Sequence, residues 1–159
     1  MLPGGYLSLP LAAIFWQLAR ADLLRRRLPN RWVLLYAGLF PLNAWLGEMG
    51  WSALALHGLA AALTFLSLLP PFMHGGIGGG DVKLATVLML WAGPSGAPAA
   101  LLATGLGGLL LGIAGWLADR CPGSSPRGLR HALSARRGVP YGVALVLGGI
   151  VVLLLEQRG

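Results

Sequence analysis

Long uncharged apolar runs alternate with short polar segments along the whole chain. Residues 1–19, 32–47 and 51–70 make three such runs. A fourth, residues 84–118, is too long for one ordinary span, and Pro94-Ser95-Gly96-Ala97-Pro98 breaks it into two. Residues 139–155 complete the set. A membrane span takes about 20 apolar residues, so the pattern predicts an all-α, polytopic membrane protein with about six transmembrane helices. Pro29 is expected to stop the first helix near Leu28, and Pro41 to kink the second or end it early. Pro70-Pro71 is expected to terminate the third. Gly108 and Gly112 make a GxxxG pair suited to close helix packing in lipid.

Between the third and fourth runs lies Gly75-Gly76-Ile77-Gly78-Gly79-Gly80-Asp81-Val82-Lys83. Five glycines in six positions favour neither helix nor strand, and they admit close approach by another backbone. The segment reads as a glycine-rich non-helical loop before the fourth helix, holding Asp81 in a pocket open to an extended peptide. Counting a span's length back from Pro94 starts the fourth helix near Gly75, which sets Asp81 inside the membrane boundary.

Composition agrees with a membrane chain: 56% of residues are hydrophobic and 11% charged, with mean hydropathy +0.72. At 159 residues the chain holds one membrane-embedded domain, residues 1–159. The net charge of +7 comes without any aromatic-basic recognition motif, so nucleic acid is not the expected partner. The basic residues are instead sorted by side. Arg20, Arg25, Arg26, Arg27 and Arg31, then Lys83, then Arg120, Arg127, Arg130, Arg136 and Arg137 fall in loops that share one side of a six-span topology. By the positive-inside rule that side is cytoplasmic, and both termini lie outside.

Three acids fall on the basic side: Asp22, Asp81 and Asp119. Counting from the span ends puts Asp22 and Asp81 at similar depth, whereas Asp119 reads as a loop residue. A carboxylate below the lipid surface is costly and usually serves a purpose. Two that meet share a proton, so one can activate water while the other protonates a peptide carbonyl. The plainer alternative pairs Asp22 with Arg25 or Arg26 a helical turn away and leaves Asp81 as a helix cap. An ion-coupled transporter and a non-enzymatic scaffold of a secretion assembly also remain open on these grounds.

Three short blocks resemble one known family. Gly78-Gly79-Gly80-Asp81 is a GxGD motif followed by Val82-Lys83; Asp22 precedes Arg27-Leu28-Pro29-Asn30; and Pro140-Tyr141-Gly142 opens the last run. Together, and in this order, they resemble the type IV prepilin peptidases. The resemblance implies an aspartic endopeptidase of the bacterial inner membrane that removes the leader of pilin-like precursors on the cytoplasmic side. It implies Asp22 and Asp81 as the catalytic pair, with Gly78 and Gly80 shaping the passage for the substrate backbone. Bifunctional members carry a four-cysteine methyltransferase region. Here Cys121 is the single cysteine, so the chain is similar to the short forms that serve tight-adherence (Flp-type) pili. Cleavage without N-methylation is expected, on prepilin or pseudopilin leaders, in company with pilus or secretion components.

Lys83 is a candidate for substrate contact as well as a basic anchor at the interface. His74 adjoins the glycine loop, His57 is expected to hydrogen-bond a neighbouring helix, and His131 is expected to be solvated. Three scattered histidines and an inert Cys121 offer no metal site, and no cofactor is expected. The tryptophans fall mostly near span ends, as interfacial belts do.

Overall fold

A computed structural model describes residues 7–120 and 140–156. The start of the first run, the basic segment with Cys121 and His131, and the tail with Arg158 lie outside the described residues. All regular structure described is helical: α1 (Ser8–Arg25), α2 (Asn30–Leu46), α3 (Trp51–Met73), α4 (Gly79–Arg120) and α5 (Tyr141–Glu156).

α4 is two helices in series. Its 42 residues would reach about 63 Å if straight, twice the roughly 30 Å of a bilayer core. At Gly93 the backbone leaves helical geometry, with φ 58° and ψ −173°, a region open essentially to glycine. The limbs are residues 79–92 (α4a) and 94–120 (α4b). A Cβ at Gly148 of α5 would lie 3.1 Å from Leu88 of α4a and 3.0 Å from the Ala100 carbonyl of α4b. Along a straight helix those residues stand about 18 Å apart, so α4 folds back on itself at Gly93. The break thus precedes the proline-glycine segment in which the sequence places it.

Pro94 causes part of this. It has no N–H to give the carbonyl of Leu90, four residues back. His57 of α3 takes over: its Nδ1 lies 2.8 Å from the Leu90 oxygen. A carbonyl can only accept, so Nδ1 carries the proton. The expected link from His57 to a neighbouring helix is present, and its purpose is to satisfy a carbonyl that proline orphaned. Around it Tyr36 stacks on Trp91 with centroids 5.3 Å apart, while Phe15 and Phe40 pack edge-on at 5.2 Å and 5.8 Å. Trp91 Nε1 donates to the Tyr36 carbonyl at 3.1 Å.

Prolines end fewer helices than the sequence predicts. α2 runs through Pro41 to Leu46, and α3 continues past Pro70 and Pro71 to Met73. α1 stops earlier than Pro29 requires: Arg26 turns left-handed at φ 51° and its N–H closes on the Asp22 carbonyl. Asp119 belongs to the last helical turn of α4b.

Apolar surface faces outward. Of α3's 23 residues only Ala61 is buried, and α4b exposes Leu101, Leu102, Leu106, Leu109 and Leu110. Apolar patches of this extent mark contact with a membrane or a partner. α3 and α4 are long and apolar enough to cross a bilayer, and α5 is a shorter apolar helix. In lipid, burying leucine gives little drive for helix association, and close packing and hydrogen bonds carry more of it. The α4b–α5 seam shows how: Gly107 meets Ala144 and Leu147, while Gly148 meets Ala100 and Thr104. Gly108 joins this seam through Tyr141 and Ala144.

Candidate active site

The buried face of α1 is Leu11, Ile14, Phe15, Leu18 and then Asp22. The carboxylate therefore continues an apolar stripe at helical spacing, on the core side. Asp22 is 6% exposed. Its Oδ2 accepts the Val143 backbone N–H at 3.1 Å, and the Gly142 N–H also bears on it. The first turn of α5 thus aims backbone donors at the aspartate, with the Val143 N–H shared between Asp22 and the Pro140 carbonyl at 3.1 Å, the usual anion-holding role of a helix N-terminus. The Arg26 cation, set by the left-handed turn that ends α1, stands within electrostatic reach. Arg26 is one of the two partners that the plain ion-pair alternative names for Asp22.

Contact this close requires glycine at position 142. A Cβ there would lie 2.9 Å from both Cγ and Oδ2 of Asp22, and 3.0 Å from Leu28. Leu28 of the α1–α2 connection also packs on Gly80, where a Cβ would approach its Cβ to 3.1 Å. One leucine therefore ties together the end of α1, the start of α4 and the start of α5.

Asp81 lies in the first turn of α4. Only residues 74–78 are non-helical; Gly79 and Gly80 already belong to the helix. The glycine stretch is thus shorter as a loop than expected, and Asp81 stands on a helix rather than in a loop. Its N–H and that of Val82 both close on the Gly78 carbonyl, at 3.0 Å and 3.2 Å. Gly75 takes φ 73° to turn the chain, and Gly76 returns an N–H to the Pro71 carbonyl at 2.9 Å. Through Leu28, which packs on both Gly80 and Gly142, Asp22 and Asp81 come to the same end of the bundle.

Beside Asp81 opens a cleft of about 450 Å³, walled by Leu68, Ile77, Gly78, Ala85, Tyr141 and Leu145. Asp81 is part of that wall, and Asp22 sits against the first turn of α5. Gly78 lines the cleft, and a Cβ there would stand 3.0 Å from the Asp81 carboxylate. Gly80 faces Leu28 instead. Lys83 lies on another side of α4a, where its Nζ donates to Asn30 Oδ1 at 3.3 Å. His74 bonds back to the Pro70 carbonyl of its own helix at 2.8 Å. Among the described residues, no three potential metal-ligating side chains gather.

Sequence reasoning missed the part played by Gly142, Val143 and Leu28 around the aspartates. The Pro-Tyr-Gly block was a signal for the first two, because a helix that starts there presents first-turn N–H groups, and glycine leaves room beside them.

The chain belongs to the type IV leader peptidase family, which it matches over residues 9–113. That stretch includes α1 through most of α4, with both aspartates. Over 114 residues the chain is 32% identical to the prepilin leader peptidase/N-methyltransferase of Bacillus subtilis (strain 168). The aligned part is 72% of this chain and 38% of that relative, so the chain spans well under two thirds of the relative's length. No solved structure matches it.

Proposed function

We propose that the protein is a membrane-embedded aspartic endopeptidase that cleaves the leader of pilin-like precursors with Asp22 and Asp81. One observation carries this reading: two acids 59 positions apart in the chain come to one end of the bundle, where Leu28 packs on Gly80 beside Asp81 and on Gly142 beside Asp22, and Asp81 walls an open cleft. Family membership supports the peptidase class.

Asp22, held by the Val143 N–H and near Arg26, is suited to the ionised role. Asp81, at the cleft, holds the shared proton. Water attacks the scissile carbonyl carbon and gives a proton to Asp22, while Asp81 protonates the carbonyl oxygen. The resulting gem-diol collapses. Asp81 takes back a proton from one hydroxyl, Asp22 delivers its proton to the amide nitrogen, and the C–N bond breaks. Acid and amine leave, and both aspartates return to their starting states.

The finer reading sets six spans in a bacterial inner membrane, with the aspartate end cytoplasmic and both termini outside, as the sorted basic residues require. The substrates are Flp-type prepilins, and cleavage leaves the new amino terminus unmethylated.

Co-expression with an Flp-type prepilin tests this by gel shift. Wild type is expected to shorten the precursor, while Asp22→Asn and Asp81→Asn, at normal membrane levels, leave it full-length. Cleavage that survives in both variants would sink the protease reading. The mass of the mature product checks the absence of a methyl group.

A further inference from the structure

α4a separates two spaces. Asp81 and Ala85 line the cleft described above. Lys83, Thr86 and Val87, at helical spacing on another side, line a separate groove of about 330 Å³ between α2, α3 and α4a. Asn30, Val33, Leu34 and Ala37 of α2 and Phe65 of α3 complete its walls.

The groove is amphiphilic in a directed way. Its polar end is Asn30 and Lys83, both in the early turns of their helices. The remaining wall is apolar, since the Thr86 hydroxyl turns back to its own helix and donates to the Val82 carbonyl at 2.8 Å. No acid lines it. Lys83 spends one N–H on Asn30 Oδ1, which leaves two ammonium donors and the amide N–H pair of Asn30 at the mouth. Such a mouth fits an anionic oxygen group. The sides are open: Leu34 is 69% and Phe65 41% exposed, so the groove runs into the apolar outer surface.

We propose that this groove holds an anionic phospholipid, its phosphate at Lys83 and Asn30 and an acyl chain along Val33, Ala37 and Phe65. A peptide is the poorer occupant. It would bring a backbone N–H and C=O for every residue into a slot lined mostly by apolar side chains, too few of whose groups could pair with them. An acyl chain brings none. Basic pockets between membrane helices recognise lipid headgroups by the same chemistry. The proposal rests on membrane embedding and not on peptidase activity.

The test uses the full chain in nanodiscs of phosphatidylcholine doped with phosphatidylglycerol carrying a photoreactive acyl chain, with adducts mapped by mass spectrometry. Adducts are expected to concentrate on groove residues of α2 and α3 and to exceed those from an equally labelled phosphatidylcholine. Lys83→Gln, an exposed change, should lower that headgroup preference about fivefold, the equivalent of one cation–phosphate contact. Ala37→Trp should lower adducts from both lipids by filling the slot. Adducts spread evenly over the outward faces, or a preference unchanged in Lys83→Gln, would overturn the proposal. So would loss of groove adducts when a prepilin peptide is added, which would give the slot to peptide. Because labelling is read without cleavage, a failed cleavage assay leaves this result standing.

Discussion

The two ends of α4a are built on opposite plans. At Gly93 the packing is closed: aromatic rings from α1, α2 and α4a interlock, and the Leu90 and Tyr36 carbonyls each receive a side-chain donor from elsewhere in the bundle. At Asp81 the packing is thin. Glycines 78, 80 and 142 let carboxylates and one leucine come close, and a cleft opens beside them. Rigidity at one end is what allows sparse contacts at the other, because a helix about 20 Å long carries its orientation along its length. Stability should therefore reside at the Gly93 end and chemistry at the Asp81 end.

Substitutions that separate these two properties test the contrast. The largest effect belongs to Asp22→Asn and Asp81→Asn, each expected to cut leader cleavage by roughly 10²–10⁴-fold, the usual share of a positioned acid or base. Melting in detergent should change far less. Gly142→Ala comes next: its new methyl displaces the Asp22 carboxylate, and misplacement of about 1 Å costs up to roughly 10²-fold in rate. Initial cleavage rates at matched protein levels check it, and an undiminished rate would remove Gly142 from the site.

At the other end the measurement is thermal or denaturant unfolding. Gly93→Ala meets both a backbone region closed to alanine and the His57 ring, 2.5 Å from the new Cβ, so about 2–4 kcal/mol should be lost. His57→Phe keeps a ring beside Phe40 but deprives the Leu90 carbonyl of its donor, with an expected loss of about 1–3 kcal/mol. Trp91→Phe should cost less, about 1 kcal/mol, since the Tyr36 carbonyl retains the helical N–H of Phe40. In all three, cleavage should fall only with the folded fraction. A cleavage defect in well-folded His57→Phe would show that the two ends are less separate than described.

How much of this was legible in the sequence differs between the helices. The apolar runs of α3 and α5 needed only hydropathy, and the alternation of runs with basic segments marked which ends come together. The burial of Asp22 had a signal in its place after Leu11, Ile14 and Leu18 at helical spacing, which counting from span ends did not use. Asp81 was marked by the glycines before it, although the loop was read two residues too long. Prolines misled more than glycines. Pro41, Pro70 and Pro71 lie inside helices that continue past them, although an interior proline costs a helix about 3 kcal/mol.

What the sequence alone determined is periodic and local: helical class, apolar faces, sorted charge, and a carboxylate on each of two helices. What only the tertiary structure decided is which groups become neighbours. Gly142 and Val143 reach Asp22 across more than a hundred residues, and Lys83 turns to Asn30 and away from the cleft. His57 serves a carbonyl that Pro94 left open. None of these follows from spacing along the chain, because each depends on how a helix is rotated and how closely its small residues let another approach.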